Sequence, residues 1–263
     1  MPESRVALVT GGGTGIGAGT ARRLAADGYA VAVTGRRVEP IEAVAAEIDG
    51  LAIVSDTSVG TDAEHAVAEV ISRFGRLDAL VLNAGIGGEG SLLDSTQEEF
   101  ERVIATNLTG AFLMARAAIG HLVERRGAIV SVSSAAGLRA SPDSLAYCSS
   151  KAGLAMLTQC IALDHGRDGV RANCVCPGWV RTPMADGEMD ELGARLGTSR
   201  DDAYDACLVD VPLGRAATTD EVAATIAWLL SPEAAYVNGV VLPVDGGHTT
   251  VDVATIAFGK LSG

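Results

Sequence analysis

Seven short, Val-rich runs recur along the chain, and the segments between them carry a helical rather than an alternating pattern. The runs are RVALVT, AVAVT, LAIVS, LDALVLN, GAIVSVS, VRANCVC and GVVLPV. Strands that read as continuous apolar runs need cover on both faces, and parallel strands joined by helical crossovers meet that condition. The amphipathic segments from Thr20 to Asp27 and from Ala63 to Phe74 supply such cover. The rhythm predicts one α/β domain over residues 1–263: a doubly wound, seven-stranded parallel sheet with helices on both faces. The apolar mass is Ala, Val and Leu with 32 glycines and only 4% aromatic residues, which suits close helix-on-sheet packing. No internal repeat, low-complexity tract or linker suggests a second domain. Between Pro177 and Pro212 the rhythm breaks, and a pocket-covering insertion with weak helical pattern is expected at about 185–210.

Charge narrows the partners. A formal net charge of −13 without any basic run argues against nucleic acid or an anionic membrane, both of which are held by clustered Lys and Arg. The N-terminus lacks a signal-peptide pattern and no apolar stretch reads as membrane-spanning, so the expected location is the cytoplasm. Cys148, Cys160, Cys174, Cys176 and Cys207 are odd in number and lack C-x-x-C spacing, which predicts free thiols. His65, His121, His165 and His248 are scattered without metal-ligand spacing, and no metal is expected.

Two stretches carry chemistry. In ALVTGGGTGIGAGT, Gly11, Gly15 and Gly17 fall between the first strand and the first helix, with Thr14 and Ile16 among them. There, backbone can approach a pyrophosphate closely while helix amides face its charge, as in Rossmann-type dinucleotide sites. At the end of the second strand, Gly35 stands where an acid would bond a ribose 2′-hydroxyl, and Arg36 and Arg37 follow. An arginine can pair with a 2′-phosphate instead, so NADP(H) is expected over NAD(H), which stays open. In SLAYCSSKAG, Tyr147 and Lys151 are four residues apart and share one helix face. A free tyrosine titrates near pH 10, and a nearby cation stabilises the phenolate, so the pair is expected to lower the Tyr147 pKa. The intervening Cys148, Ser149 and Ser150 are expected to point elsewhere. Ser134, at the carboxyl end of the preceding strand, could hold a carbonyl oxygen.

Taken with LNAG (82–85), Asn107 in ATNLTG and PGWVRTP (177–183), these motifs resemble the short-chain dehydrogenase/reductases from end to end. LNAG departs from the frequent NNAG of that family but keeps Asn83. The resemblance implies that Tyr147 is the general acid/base, that Lys151 lowers its pKa and binds nicotinamide ribose, and that Ser134 positions the substrate oxygen. Asn107 would hold a water linking Lys151 to a proton relay; a helix-bend role for Asn107 is the competing reading. Asp56 and Thr57 are assigned by resemblance to the adenine region. Asn83, Ala84 and Gly85 fall to adenosine and its ribose, and Pro177, Val180 and Thr182 to the nicotinamide end. A homotetramer formed through the tyrosine-motif helix and the one before it is likewise implied.

The implied activity interconverts a secondary alcohol and a ketone. A 3-oxoacyl-[acyl-carrier-protein] reductase, an isomerase or dehydratase variant, and a non-catalytic dinucleotide sensor or scaffold are the alternatives. Carrier docking needs basic residues. By resemblance Arg125 occupies one docking position, while Asp168 occupies the second. The insertion from Ala185 to Asp210 holds eight acids against Arg195 and Arg200. A small, uncharged or weakly polar substrate is therefore expected, with Trp179, Met184, Met189 and Leu192 as candidate apolar walls.

Overall fold

The computed structural model describes residues 4–259. The first half runs β1 (Val6–Thr10), α1 (Gly15–Ala26), β2 (Ala30–Gly35), α2 (Val38–Glu47), β3 (Leu51–Val54), α3 (Gly60–Phe74) and β4 (Ala79–Leu82). The second runs α4 (Gln97–Ile104), α5 (Gly110–Arg125), β5 (Ala128–Val132), α6 (Leu145–His165), β6 (Arg171–Pro177), α7 (Pro183–Leu196), α8 (Arg200–Leu208), α9 (Thr219–Leu230) and β7 (Val241–Val244). The seven strands form one sheet in the order β3-β2-β1-β4-β5-β6-β7, and every pairing is parallel. The order reverses between β1 and β4, which opens a crevice at their carboxyl ends.

Alternate strand residues feed opposite faces, as the two-residue period of a strand requires. Val9, Val33, Val81 and Val130 pack under α1, α2 and α9 with Leu24, Ile41 and Ile226. Leu8, Ile53, Leu80 and Ile129 pack on the other face under α3, α5 and α6 with Val70, Met114 and Leu154. Both faces are dry, which explains why the strands read as unbroken apolar runs.

The insertion is more regular than its sequence suggests. Thr182 caps α7 by accepting from the Ala185 amide at 3.2 Å, Pro183 opens the helix, and Gly197 ends it at φ 69°. Ser199 and Asp202 then form a reciprocal capping box for α8. The two helices share a small core of Ala185, Met189, Ala203, Tyr204, Leu208 and Val211, with Trp179 and Leu192 at its edge. Trp179 meets the Tyr204 ring edge-on at 6.4 Å. Trp179 also lines a cavity with Leu208, Val211 and Leu213, as a pocket wall would, whereas Met189 is buried in the hairpin core, Leu192 packs at its edge and Met184 is exposed.

A second correction concerns length. The helix Gln97–Arg125 is continuous over 29 residues and is long and apolar enough, by length and composition, to cross a membrane. The sequence hides this because ATNLTG interrupts the apolar pattern, yet residues Ala105–Thr109 continue the helix as a π turn. Its inner face packs Ala111, Met114, Ala118 and Leu122 into the core under the sheet.

Met114 is fully buried. Met114→Ala should therefore lower unfolding stability by about 2–5 kcal/mol, whereas exposed Val209→Ala should stay within about 0.5 kcal/mol, as measured by denaturant titration.

Candidate active site

The loop after β1 is built for close approach. Gly11 and Gly15 take positive φ angles of 62° and 54°, and a Cβ on Gly17 would lie 2.2 Å from the Gly11 carbonyl oxygen. Thr10 Oγ1 accepts from the Asn83 and Ala84 amides at 2.9 and 3.0 Å. The Asn83 side-chain amide donates to the carbonyls of Thr10 and Gly11 at 2.9 and 3.1 Å. Asn83 therefore clamps the loop through its Nδ2.

Gly11, Thr14, Ala84 and Gly85 line a cleft along the carboxyl ends of β1 and β4, and Arg36, Arg37, Asp56 and Thr57 line its far end. Arg36 Nη1 stands 3.9 Å from Asp56 Oδ2, and the hydroxyl and amide of Ser58 hold that carboxyl below its usual range. Ser55, which the sequence reading missed, lines the same cleft, and its buried Oγ has no hydrogen-bond partner among the described residues. An orphaned donor at one end and a glycine cradle at the other fit a dinucleotide. Gly15, Gly17 and Thr14 begin α1, with the Thr182 methyl 3.2 Å from where a Gly15 Cβ would stand. Val180 is buried in the core, and Ile16 is half-buried against it. Pro177 ends β6 opposite Val244.

The proton-transfer group lies where β5 meets α6. Lys151 Nζ donates to the Val132 carbonyl at 2.9 Å, and Ser133 Oγ donates back to the Lys151 carbonyl at 2.7 Å. This pins α6 to the strand end. Ser134 follows; its Oγ accepts from the Ala136 amide at 3.1 Å and is close enough to the Tyr147 phenol to favour the phenolate. The Lys151 ammonium lies 5.6 Å from the centre of the Tyr147 ring. Ser150, expected to point elsewhere, is buried. It donates to the Tyr147 carbonyl at 2.7 Å and accepts from Asn107 Nδ2 at 3.0 Å. Three positions along a helix share a flank, which is the signal that could have found it.

Asn107 is fully buried inside the π turn. Its Oδ1 accepts from the Ile86 amide at 2.8 Å and its Nδ2 donates to the Ile86 carbonyl at 2.9 Å. These bonds tie the π turn between α4 and α5 to the loop after β4, 21 residues earlier. A Cβ on Gly85 would stand 3.2 Å from Lys151 Nζ and 3.3 Å from Asn107 Oδ1, a close fit that a larger residue would enter only by shifting them.

The electrostatics differ from the simple expectation. Burial pushes Tyr147 up to about 12, against the lowering effect of the Ser134 hydrogen bond and with a further upward push from Glu188. Burial pushes Lys151 down to about 8, offset in part by Cys174 and Cys176. A tyrosine so placed is protonated at neutral pH, the form that donates a proton. Because the folded Lys151 pKa lies below its unfolded value, the folded state binds fewer protons between about pH 8 and pH 10.5. Stability contributed by this residue should therefore rise with pH across that window. Thermal melts of the chain free of cofactor should show the rise, and Lys151→Met should remove it. From pH 10 towards 12, Tyr147 should act in the opposite sense.

Residues 11–249 match the family described as enoyl-(acyl carrier protein) reductase. The meso-2,3-butanediol dehydrogenase of Serratia marcescens is 36% identical over 253 residues, covering 95% of this chain and 96% of that protein. The crystal structure of levodione reductase superposes with a TM-score of 0.90 at 35% identity, covering 94% of this chain and 98% of that one. An actinorhodin polyketide ketoreductase with NADPH gives a TM-score of 0.89 at 35% identity over 94% of this chain and 98% of its own. With that likeness over nearly its whole length, and with Ser134, Tyr147 and Lys151 gathered at the end of β5, the chain belongs to the short-chain dehydrogenase/reductase family.

Proposed function

We propose that the chain interconverts a small secondary alcohol and its ketone, with NADP(H) as the preferred nicotinamide dinucleotide. The observation that carries this reading is the Ser134–Tyr147–Lys151 group beside a glycine cradle with an arginine-lined far end. The dinucleotide, when bound, supplies or accepts the hydride. The chain's own residues do the rest. Ser134 sits beside the phenol and can present its hydroxyl to a substrate oxygen. Tyr147 holds the proton that a ketone oxygen takes up on reduction, and regains it from the alcohol in the reverse direction. Lys151, anchored on Val132, holds its ammonium behind the tyrosine ring, where it favours the phenolate, and it faces the side of the cleft where Gly85 lies. Asn107 keeps one lone pair of Oδ1 for a water of a relay while its other atoms fix the floor.

A carrier-bound thioester is the weaker reading. Asp168 is paired with His165 at 3.2 Å and offers no basic docking point. The exposed apolar residues Phe112 on α5 and Met156 and Leu163 on α6 favour self-association through these helices into a homotetramer. Sedimentation at micromolar concentration should give a particle of four chains; a stable monomer would refute that assembly.

Two substitutions separate the catalytic roles. Tyr147→Phe should reduce turnover at least a thousandfold while leaving dinucleotide affinity within about threefold, because only the ionisable oxygen goes. Lys151→Ala should damage both, as read by steady-state kinetics and by calorimetric titration of the dinucleotide. Near-normal kcat in Tyr147→Phe would overturn the mechanism.

Cofactor choice is tested at Arg36. An arginine on a partly exposed phosphate contributes about 1.5–3 kcal/mol, so Arg36→Ala should weaken NADP(H) binding roughly ten- to a hundredfold with little change for NAD(H). A preference for NAD(H) that survives the substitution would show that Arg36 faces solvent.

A further inference from the structure

We propose that Glu188 is the specificity residue of this site: its carboxylate, carried on the lid helix α7 to the loop after β4, accepts a hydrogen bond from a hydroxyl or ammonium group on the carbon beside the reacting carbinol. The inference rests on the alcohol–ketone reading above.

The eight acids of the insertion do not act alike once folded. Asp186 accepts from the Tyr204 hydroxyl at 2.9 Å, Asp190 from Arg200 at 2.6 Å and Asp201 from Arg181 at 2.7 Å. Asp202 caps α8 through Ser199, and Glu191 lies 3.9 Å from Arg195. These acids are spent on the hairpin's own integrity. Glu188 is different, because no cation or hydrogen-bond donor among the described residues reaches its carboxylate. Its Oε1 lies 3.9 Å from where a Cβ on Gly87 would stand, so the side chain crosses from the lid to the opposite wall. Burial, with the like charges of Glu89 on that wall and Glu191 on its own helix, holds its carboxyl above the usual range. The same charge is felt by the Tyr147 phenol.

A partly buried carboxylate whose charge reaches the Tyr147 phenol, with no donor bonded to it among the described residues, has an unmet need for one. A substrate that brings one relieves a penalty already present in the free enzyme. A substrate bearing its own carboxylate adds to it. Charge-assisted hydrogen bonds are the stronger class, so the discrimination should be ten- to a hundredfold. The neighbouring carbon is the right place for the donor because Tyr147 and Ser134 already claim the carbinol oxygen.

The test uses four alcohols of similar size: 2-butanol, 1,2-propanediol, 1-amino-2-propanol and lactate. For each, kcat/KM is measured in the wild type, Glu188→Gln and Glu188→Leu, and the readout is the ratio to 2-butanol within one variant. That ratio does not depend on how much of a variant is folded. The wild type should favour the diol and the amino alcohol at least tenfold over 2-butanol and should use lactate worst. Glu188→Gln should keep most of the diol preference, lose the amino alcohol preference and raise relative lactate use at least tenfold. Glu188→Leu should lose both preferences. If the diol ratio alone falls in Glu188→Leu, the partner is a hydroxyl; if the amino alcohol ratio falls more, it is an ammonium. Ratios that do not move in either variant would overturn the role of Glu188 while leaving the alcohol–ketone reading intact. Failure of every alcohol, and of the matching ketones, with both dinucleotides would overturn both.

Discussion

Two hydrogen bonds running in opposite directions between β5 and α6 set the position of everything else at the site. Lys151 gives one from its ammonium to Val132, and Ser133 gives the other to the Lys151 carbonyl. An ammonium buried this deeply loses most of its hydration, and a carbonyl oxygen replaces only part of it. The arrangement persists because the sheet and helix fix both partners from outside. The same seam places Ser134 at the helix's open end and brings the Tyr147 ring over the lysine. The site is therefore an outcome of strand–helix docking, and its geometry is as rigid as the core beneath it.

The fold was legible because a doubly wound sheet writes itself into the chain as dry strands at regular intervals, and each of the seven runs became a strand. Tyr147, Lys151 and Ser134 were legible because their spacing is fixed by one helix and one strand end. Three features were hidden for different reasons. The hairpin α7–α8 was obscured because its core is small and its acids dilute the apolar pattern, although Thr182, Pro183, Gly197 and Ser199 mark its caps in the sequence. Ser150 was passed over because its partner is Asn107, whose approach depends on a π turn that propensity does not announce. The direction of the Tyr147 shift was missed because spacing reports which groups are close, whereas burial depends on the whole surrounding fold.

The acidic insertion shows how misleading a charge count can be. Eight acids against two bases reads as a uniformly repulsive cover. Folding recruits Arg181 from outside the segment and pairs or caps most of the acids, so the field at the pocket is set by the few carboxylates left pointing inward. Net charge speaks to encounter and solubility, while the local partner of each group speaks to recognition.

The π turn at Ala105–Thr109 also has a bearing on how the family's chains can change length. Removing one residue there would restore an ordinary helix and its regular ladder. It would leave α4 and α5 close to their present relative orientation, since the five residues of an i→i+5 turn sweep about the same angle as four α-helical ones. Asn107 would leave the Ile86 backbone it binds on both sides. The helix is thus held out of its most comfortable winding by the bonds of Asn107 to Ile86, and deletion of a single residue here should cost the site that tie while leaving the flanking helices folded.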